Sequence, residues 1–287
     1  MQAIRLFFVE RGFLEVDTPV RIPANAPEAH IEPEMSGNWF LQTSPELCMK
    51  RLLSAGCTAL FQICKCFRRS ERGDRHLPEF TMLEWYRTEC DYRGLMEDCE
   101  QLLLFLANCL KSGTTIRVGS HSVSLQPPWQ RLTVGKAFQR YAPQSLDESL
   151  AAGTFDEMLC THIEPRLGIE SPVFLYDYPI ALGSLARRKQ SDPTLAERFE
   201  LYIGGMELAN GFSELTDPAE QRRRFSKERE AIQVHGRQPG PMAESFLTAL
   251  ENLEEAAGIA LGVDRLAMVL WNLVTIDDAV PFTPEEL

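Results

Sequence analysis

Glu200, Glu207 and Glu214 stand seven residues apart in FELYIGGMELANGFSEL, residues 199–215, an otherwise largely apolar stretch. Carboxylates in such company suit cations: a metal ion, an ammonium group, or both. A spacing of seven would place them on one face of a helix. Gly204, Gly205 and Gly211 argue against that, since each costs a helix interior about 1 kcal/mol relative to alanine. Gly204-Gly205 between two apolar runs predicts a hairpin turn instead, where positive φ is cheap. Glu200 and Glu207 then lie on opposite strands, as neighbours across the turn. Asn210, Phe212 and Glu214 follow at period two and, if extended, face one side. A solvated hairpin accounts for any one of these acids. Three of them with an asparagine in so short a segment favour a cation-binding floor.

A second group of candidates lies in EFTMLEWYR, residues 79–87, where Phe80, Glu84 and Tyr86 share one face of a strand. A glutamate and a phenol beside an aromatic ring suit an ammonium ligand and a flat ring to stack. An amphipathic surface strand explains the same letters. Arg68 ends the preceding strand-like run and Arg265 opens the last helix. With an aromatic platform and a glutamate floor, such arginines can clamp phosphates. The constellation suits a nucleoside triphosphate with Mg2+ and an amine-bearing substrate.

The elements that position these residues are legible in outline. MQAIRLFFVERGFLEV reads as an amphipathic helix ended by Gly12, and not as a signal peptide. EVDTPV reads as a strand ending at Pro19. SPELCMKRLLSAG reads as a helix with Ser44 as N-cap, Pro45 first and Gly56 at its end. TALFQICKCF and EFTMLEWYR read as two strands joined by a charged loop, RRSERGDRHLP. A helix over 93–110 follows, then short helices and turns over 112–170, and a short strand in PVFLYDYP. Asp217 and Glu220 predict a capping box for a helix whose Arg222-Arg223-Arg224 run forms a solvated face. GIALGVDRLAMVLW reads as a glycine-bounded strand entering a helix near Asp264. This is an α+β pattern with an antiparallel sheet. Neither GxGxxG nor GxxxxGK[ST] occurs, so those two phosphate cradles are not in use.

Composition narrows the class. The chain has 287 residues, room for one large domain or two small ones, with 44% hydrophobic and 24% charged residues. No apolar run approaches the roughly 18 residues of a membrane span. A net charge of −12 disfavours a broad phosphate-binding face and hence tRNA. The eight cysteines form no CxxC pair and read as reduced thiols of a cytoplasmic protein. The five histidines make no ligand cluster.

Thr18-Pro19, CFRRSERGDRHLPEFTMLEWY and GIALGVDR resemble the three signature motifs of class II aminoacyl-tRNA synthetases. FLYDYP, SLARR and RFELYIGGMELANGFSEL resemble the lysyl branch. The resemblance covers nearly the whole chain outside 112–170. It implies an antiparallel sheet flanked by helices, a homodimer formed through the first motif, and a single catalytic domain over 1–287 without the anticodon-binding OB module. TSPELCMKRLLSAGC and TMLEWYR look most like lysyl-synthetase paralogues that modify a protein. Ser44 and Ala260 support this, because the tRNA-charging enzymes usually carry alanine and glycine there.

The same resemblance implies roles by motif. Arg68 corresponds to the arginine on the α-phosphate of ATP and Arg265 to that on the γ-phosphate. Phe80 corresponds to the ring stacked on adenine, and Arg75 and His76 to triphosphate or adenine contacts. Glu200 and Glu207 correspond to Mg2+ ligands. Glu84, Tyr86 and Glu214 correspond to the side-chain ammonium pocket. Ser44, Glu46, Asn210, Phe212 and Ala260 correspond to further substrate contacts, with Glu46 and Asn210 nearer the reacting end. The family usually reads Arg-Asn-Glu after the second-motif strand. Here Arg68-Arg69-Ser70-Glu71 leaves open whether Glu71 takes the adenine-side role. The implied activity is ATP-dependent formation of a β-lysyl-adenylate and transfer of β-lysine to a lysine side chain of elongation factor P. No dedicated base is evident. Two alternatives stand beside it: a truncated enzyme that activates α-lysine, and a non-catalytic regulatory paralogue.

Overall fold

The computed structural model describes residues 1–287. Its centre is a nine-stranded sheet. Six strands form an antiparallel body, in the spatial order Ala59–Phe67, Glu79–Thr88, Ala256–Gly262, Met206–Ser213, Asp192–Ile203 and Val173–Pro179. Each end carries one parallel strand, Leu14–Glu15 beside Ala59–Phe67 and Gln130–Thr133 beside Val173–Pro179. Arg188–Lys189 folds back along Asp192–Ile203. The expected antiparallel sheet is therefore present, with two parallel edges that periodicity did not reveal.

Period-two alternation divides the sheet into two faces. Phe61, Trp85, Ile259, Gly211 and Phe199 lie in register across five strands. Apart from the glycine they belong to the main core, which helices Gln2–Val9 and Tyr92–Leu110 cover with Phe7, Phe8, Leu95, Leu102 and Leu103. Gly211 makes room for this packing, since a Cβ there would lie 2.8 Å from the Phe199 ring. The other face carries the polar residues and is roofed by helix Glu46–Ser54, the loop through residues 23–34, and helix Pro218–Val234.

Several local expectations hold. Gly204 and Gly205 turn the hairpin at φ +60° and +72°, as a two-residue turn of mirror-image type requires. The Tyr92–Leu110 helix starts at Asp91, whose carboxylate accepts from the backbone N–H groups of Arg93 and Gly94.

Others differ in detail. The strand expected to run to Pro19 pairs only through Leu14–Glu15. Thr18 is held by Gln62 Oε1 at 3.0 Å, since Pro19 has no N–H to continue a ladder. Helix Glu46–Ser54 begins one residue later than expected, with Ser44 Oγ accepting from the Glu46 N–H. Asp217 caps its helix alone, because Glu220 binds Arg223 and Arg224 instead of closing a box. Of the three arginines, Arg222 and Arg223 stay on the solvent side, while Arg224 reaches in to the Ser184 and Ala186 carbonyls. Residues 112–170 hold the expected short helices, but also a hairpin, Thr115–Val118 with His121–Ser124, and the edge strand. All eight cysteines are unpaired, and no helix is long and apolar enough to cross a membrane.

Candidate active site

Strand register assembles the site from segments far apart in sequence. One row across the polar face reads Gln62, Glu84, Ala260, Asn210 and Glu200; the next reads Leu60, Tyr86, Gly258, Phe212 and Arg198. Period two from Asn210 would turn Glu207 to the opposite, core face. A bulge prevents this: Leu201 pairs with Ala209 but Tyr202 pairs with Glu207, so Leu208 is the extra residue. Glu200 and Glu207 therefore share the polar face, as the neighbour-across-the-turn expectation required.

A cleft of about 260 Å³ opens on this face, bordered by Arg68, Glu71, Arg75, His76, Phe80 and Arg265, all six of the residues expected to hold a nucleotide. The Arg68 guanidinium lies 5.1 Å from the centre of the Phe80 ring and 3.8 Å from Glu71, and its buried Nε has no protein partner. Arg265 donates to the Glu207 carboxylate at 3.1 Å and to the carbonyls of Glu207 and Arg75 at 2.9 and 3.2 Å. It also contacts His76 Nε2. Burial, then the Arg265 charge, lowers the His76 pKa, so this ring is neutral and accepts from the guanidinium. Arg75 bonds the Gly205 carbonyl at 2.8 Å, tying the charged loop to the hairpin turn. Asp264 accepts from the Thr81 N–H at 2.7 Å and fixes the start of helix Val263–Trp271 against the Phe80 strand.

Next to the cleft is a smaller cavity of about 130 Å³, bordered by Ser44, Glu46, Glu84, Tyr86, Phe212 and Arg198 among others. Arg68, Asn210 and Ala260 border both spaces and mark where they meet. Glu84 accepts from the Tyr86 hydroxyl at 2.8 Å. Burial raises the Glu84 pKa well above the usual carboxylate range, and the nearby Glu46 adds to this. Glu214 lies behind Gly258 and does not border the cavity. A Cβ on Gly258 would sit 2.0 Å from the Tyr86 ring and 2.6 Å from Glu214 Oε1. The absent side chain lets the Tyr86 ring and the Glu214 carboxylate pack against bare backbone, and the buried Oε1 has no hydrogen-bond partner in the protein. Burial pushes the Glu214 pKa up to about 8.

Lys50 was not anticipated. It is 1% exposed; its ammonium bridges Glu46 and Glu214, at 2.5 Å from the latter, with the Phe212 ring centre 5.0 Å away. Burial alone would lower its pKa, but Glu214 and Glu46 outweigh that and raise it. A signal existed: Lys50 falls three residues from both Leu47 and Leu53, on the buried stripe of its helix. Arg198 was also overlooked, though it stands two residues before Glu200 and so shares its face. It donates to Asn210 Oδ1 at 3.1 Å, to the Leu182 carbonyl at 2.7 Å and to Glu200 at 2.7 Å.

The two expected metal ligands part company here. Glu207 borders the cleft with 36% of its side chain exposed, and a partly hydrated carboxylate beside a phosphate site fits Mg2+. Glu200 does not border the cleft. Its oxygens accept from Arg198 and, at 2.6 Å each, from the Tyr178 and Tyr202 hydroxyls, so it is buried and already bonded. As it stands, that set does not fit a direct ligand; it fits a carboxylate that orients Arg198.

A polar face of an antiparallel sheet with an arginine-lined cleft fits a class II synthetase catalytic core. The family model for class II tRNA synthetases (D, K and N) matches residues 1–286, and the chain belongs to that family. It is also 38% identical, over 99% of its own length and 92% of theirs, to the proteins named elongation factor P–(R)-beta-lysine ligase of Salmonella paratyphi B, Salmonella schwarzengrund and Salmonella heidelberg.

Proposed function

We propose that the protein is an ATP-dependent ligase that activates (R)-β-lysine as its adenylate and transfers it to a lysine side chain of elongation factor P. The charge count of the amine pocket carries this reading. Glu28, Glu46, Glu84 and Glu214 stand at or behind this pocket against two cations, Lys50 and Arg68, since Arg198 is paired with Glu200, and two carboxylates are left unmatched. A diamino acid, lysine or β-lysine, brings two ammonium groups and supplies the missing charges; the choice of the β-isomer rests on the relatives. The relatives named above carry the same activity in their names.

In the first step adenine stacks on Phe80, and Arg68, at the meeting of cleft and pocket, receives the α-phosphate. Arg75, His76 and Arg265 receive the outgoing pyrophosphate. The substrate carboxylate attacks the α-phosphorus, oriented by Asn210 and by ammonium contacts to Glu84, Glu214 and Glu46. Mg2+ held at Glu207 supplies charge neutralisation on the phosphates. Catalysis then rests on positioning and electrostatics. Glu71, which borders the cleft 3.8 Å from Arg68, takes the adenine side in this proposal. A homodimer is part of the proposal: Leu6, Val9, Leu14 and Val20 are exposed apolar residues of the first-motif segment at the sheet edge.

The test is pyrophosphate exchange with (R)-β-lysine and α-lysine side by side, followed by transfer to elongation factor P and to tRNA. (R)-β-Lysine and the protein acceptor are expected to dominate. Preference for α-lysine with efficient tRNA charging overturns the reading.

A further inference from the structure

The second step needs a proton acceptor, since a lysine side chain arrives as an ammonium ion with no lone pair to attack. A third cavity, of about 290 Å³, adjoins the cleft. Its walls include Ile31, Met35, Phe40 and Pro239, which suit the methylene stem of a long amine, beside the charged Glu32, Arg69 and Arg237. Glu28 is the one side chain that borders the nucleotide cleft, the amino-acid pocket and this third cavity. With ATP in the first and β-lysine in the second, the third is the approach that remains. It meets the others beside Arg68, where the activated carbonyl must lie.

Resting on the activity proposed above, the geometry points to Glu28 as the general base that takes a proton from the acceptor lysine, which enters through the third cavity. The Glu28 carboxylate makes no hydrogen bond within the protein. Its loop is held in place: Glu228 accepts from the Ala29 N–H at 2.9 Å, Arg237 donates to the Ile31 carbonyl at 3.3 Å, and the Arg69 N–H bonds the Glu32 carbonyl at 2.7 Å. The acceptor ammonium gives one proton to Glu28. The freed nitrogen lone pair attacks the carbonyl carbon, the C–N bond forms, and the C–O bond to phosphate breaks with its electron pair leaving on AMP. The second nitrogen proton passes to the departing phosphate, leaving a neutral amide.

The electrostatics agree. Burial raises the Glu28 pKa to about 7, with Arg68 and Arg198 opposing and Glu46 and Glu228 adding to the rise. A base near the working pH is the effective kind.

The test is single-turnover transfer from preformed β-lysyl-adenylate on the full-length enzyme, with elongation factor P or with hydroxylamine, an amine already free at neutral pH. E28Q is expected to slow transfer to elongation factor P about 100-fold more than it slows trapping by hydroxylamine. E28D is expected to restore part of the loss. Wild-type transfer is expected to rise with pH and level off above about 7, whereas E28Q is expected to keep rising toward the pKa of the acceptor lysine itself. Equal slowing toward both nucleophiles, or an E28Q profile that levels off near neutrality as the wild type does, overturns the inference and leaves the activity standing. A wild type that forms no adenylate with (R)-β-lysine overturns both.

Discussion

Binding of the substrate ammonium should expel a proton from the pocket. In the free protein the Glu214 carboxyl is pushed up to about 8 by burial, with Glu46 and Glu84 opposing its ionisation and Lys50 favouring it. A substrate ammonium in the adjoining cavity favours the charged form of Glu214 and pulls the pKa back down. The sign follows: a carboxyl raised in the free state and lowered in the complex is deprotonated on binding, so affinity rises with pH. For a group near 8, only about one part in ten is ionised at pH 7 and about one in a hundred at pH 6. The dissociation constant for (R)-β-lysine is therefore expected to fall about tenfold per unit from pH 6 toward pH 8, or about 1.4 kcal/mol per unit. Calorimetry in two buffers of different ionisation enthalpy should count about one proton released at pH 7, with Glu84 adding to it where it shares the ammonium. Glu214→Gln removes the proton release that this group contributes. An affinity flat between pH 6 and pH 8, with no proton released, refutes the reasoning.

The remaining expectations concern neighbouring residues. Glu207→Gln should abolish pyrophosphate exchange while circular dichroism shows an intact fold; full exchange would remove Glu207 from the phosphate site. Glu200→Gln should instead act on stability, since it leaves Arg198 buried with two tyrosines around a neutral amide. Breaking such a buried pair costs about 3–5 kcal/mol, readable in urea denaturation, and an unchanged midpoint would contradict its placement. Gly258→Ala should push the Tyr86 ring and the Glu214 carboxylate out of place, raising KM for the amino acid far more than KM for ATP; equal changes would refute their role in amino-acid binding. Ala260→Gly, at the meeting of cleft and pocket, should raise kcat/KM for α-lysine relative to (R)-β-lysine by about 10- to 100-fold, the worth of one methyl contact. An unchanged ratio would dissociate Ala260 from selectivity.

Much of this site is local and was legible in the residues. Two glycines between apolar runs announce the hairpin because few other residues adopt two successive positive φ angles. Alternation in EFTMLEWYR places Phe80, Glu84 and Tyr86 on one face because a strand has period two. The motif order alone indicated the family and the cleft arginines. Register decisions were not local. The bulge at Leu208 turns Glu207 to the polar face, and only the pairing with the neighbouring strand reveals it. Glu200 is bonded to Tyr178, from another strand, which periodicity along its own strand does not show. Lys50 becomes the pocket's resident cation only when its helix lies over the sheet beside Glu214, 164 positions further along the chain. Glu28 sits in a loop with no regular pattern, and its importance comes from three cavities meeting at one carboxylate. Sequence determined which residues could bind charge, because backbone periodicity and turn chemistry act over a few residues. The tertiary structure decided which charges face each other, because desolvation and ion pairing depend on neighbours that only the folded sheet brings together.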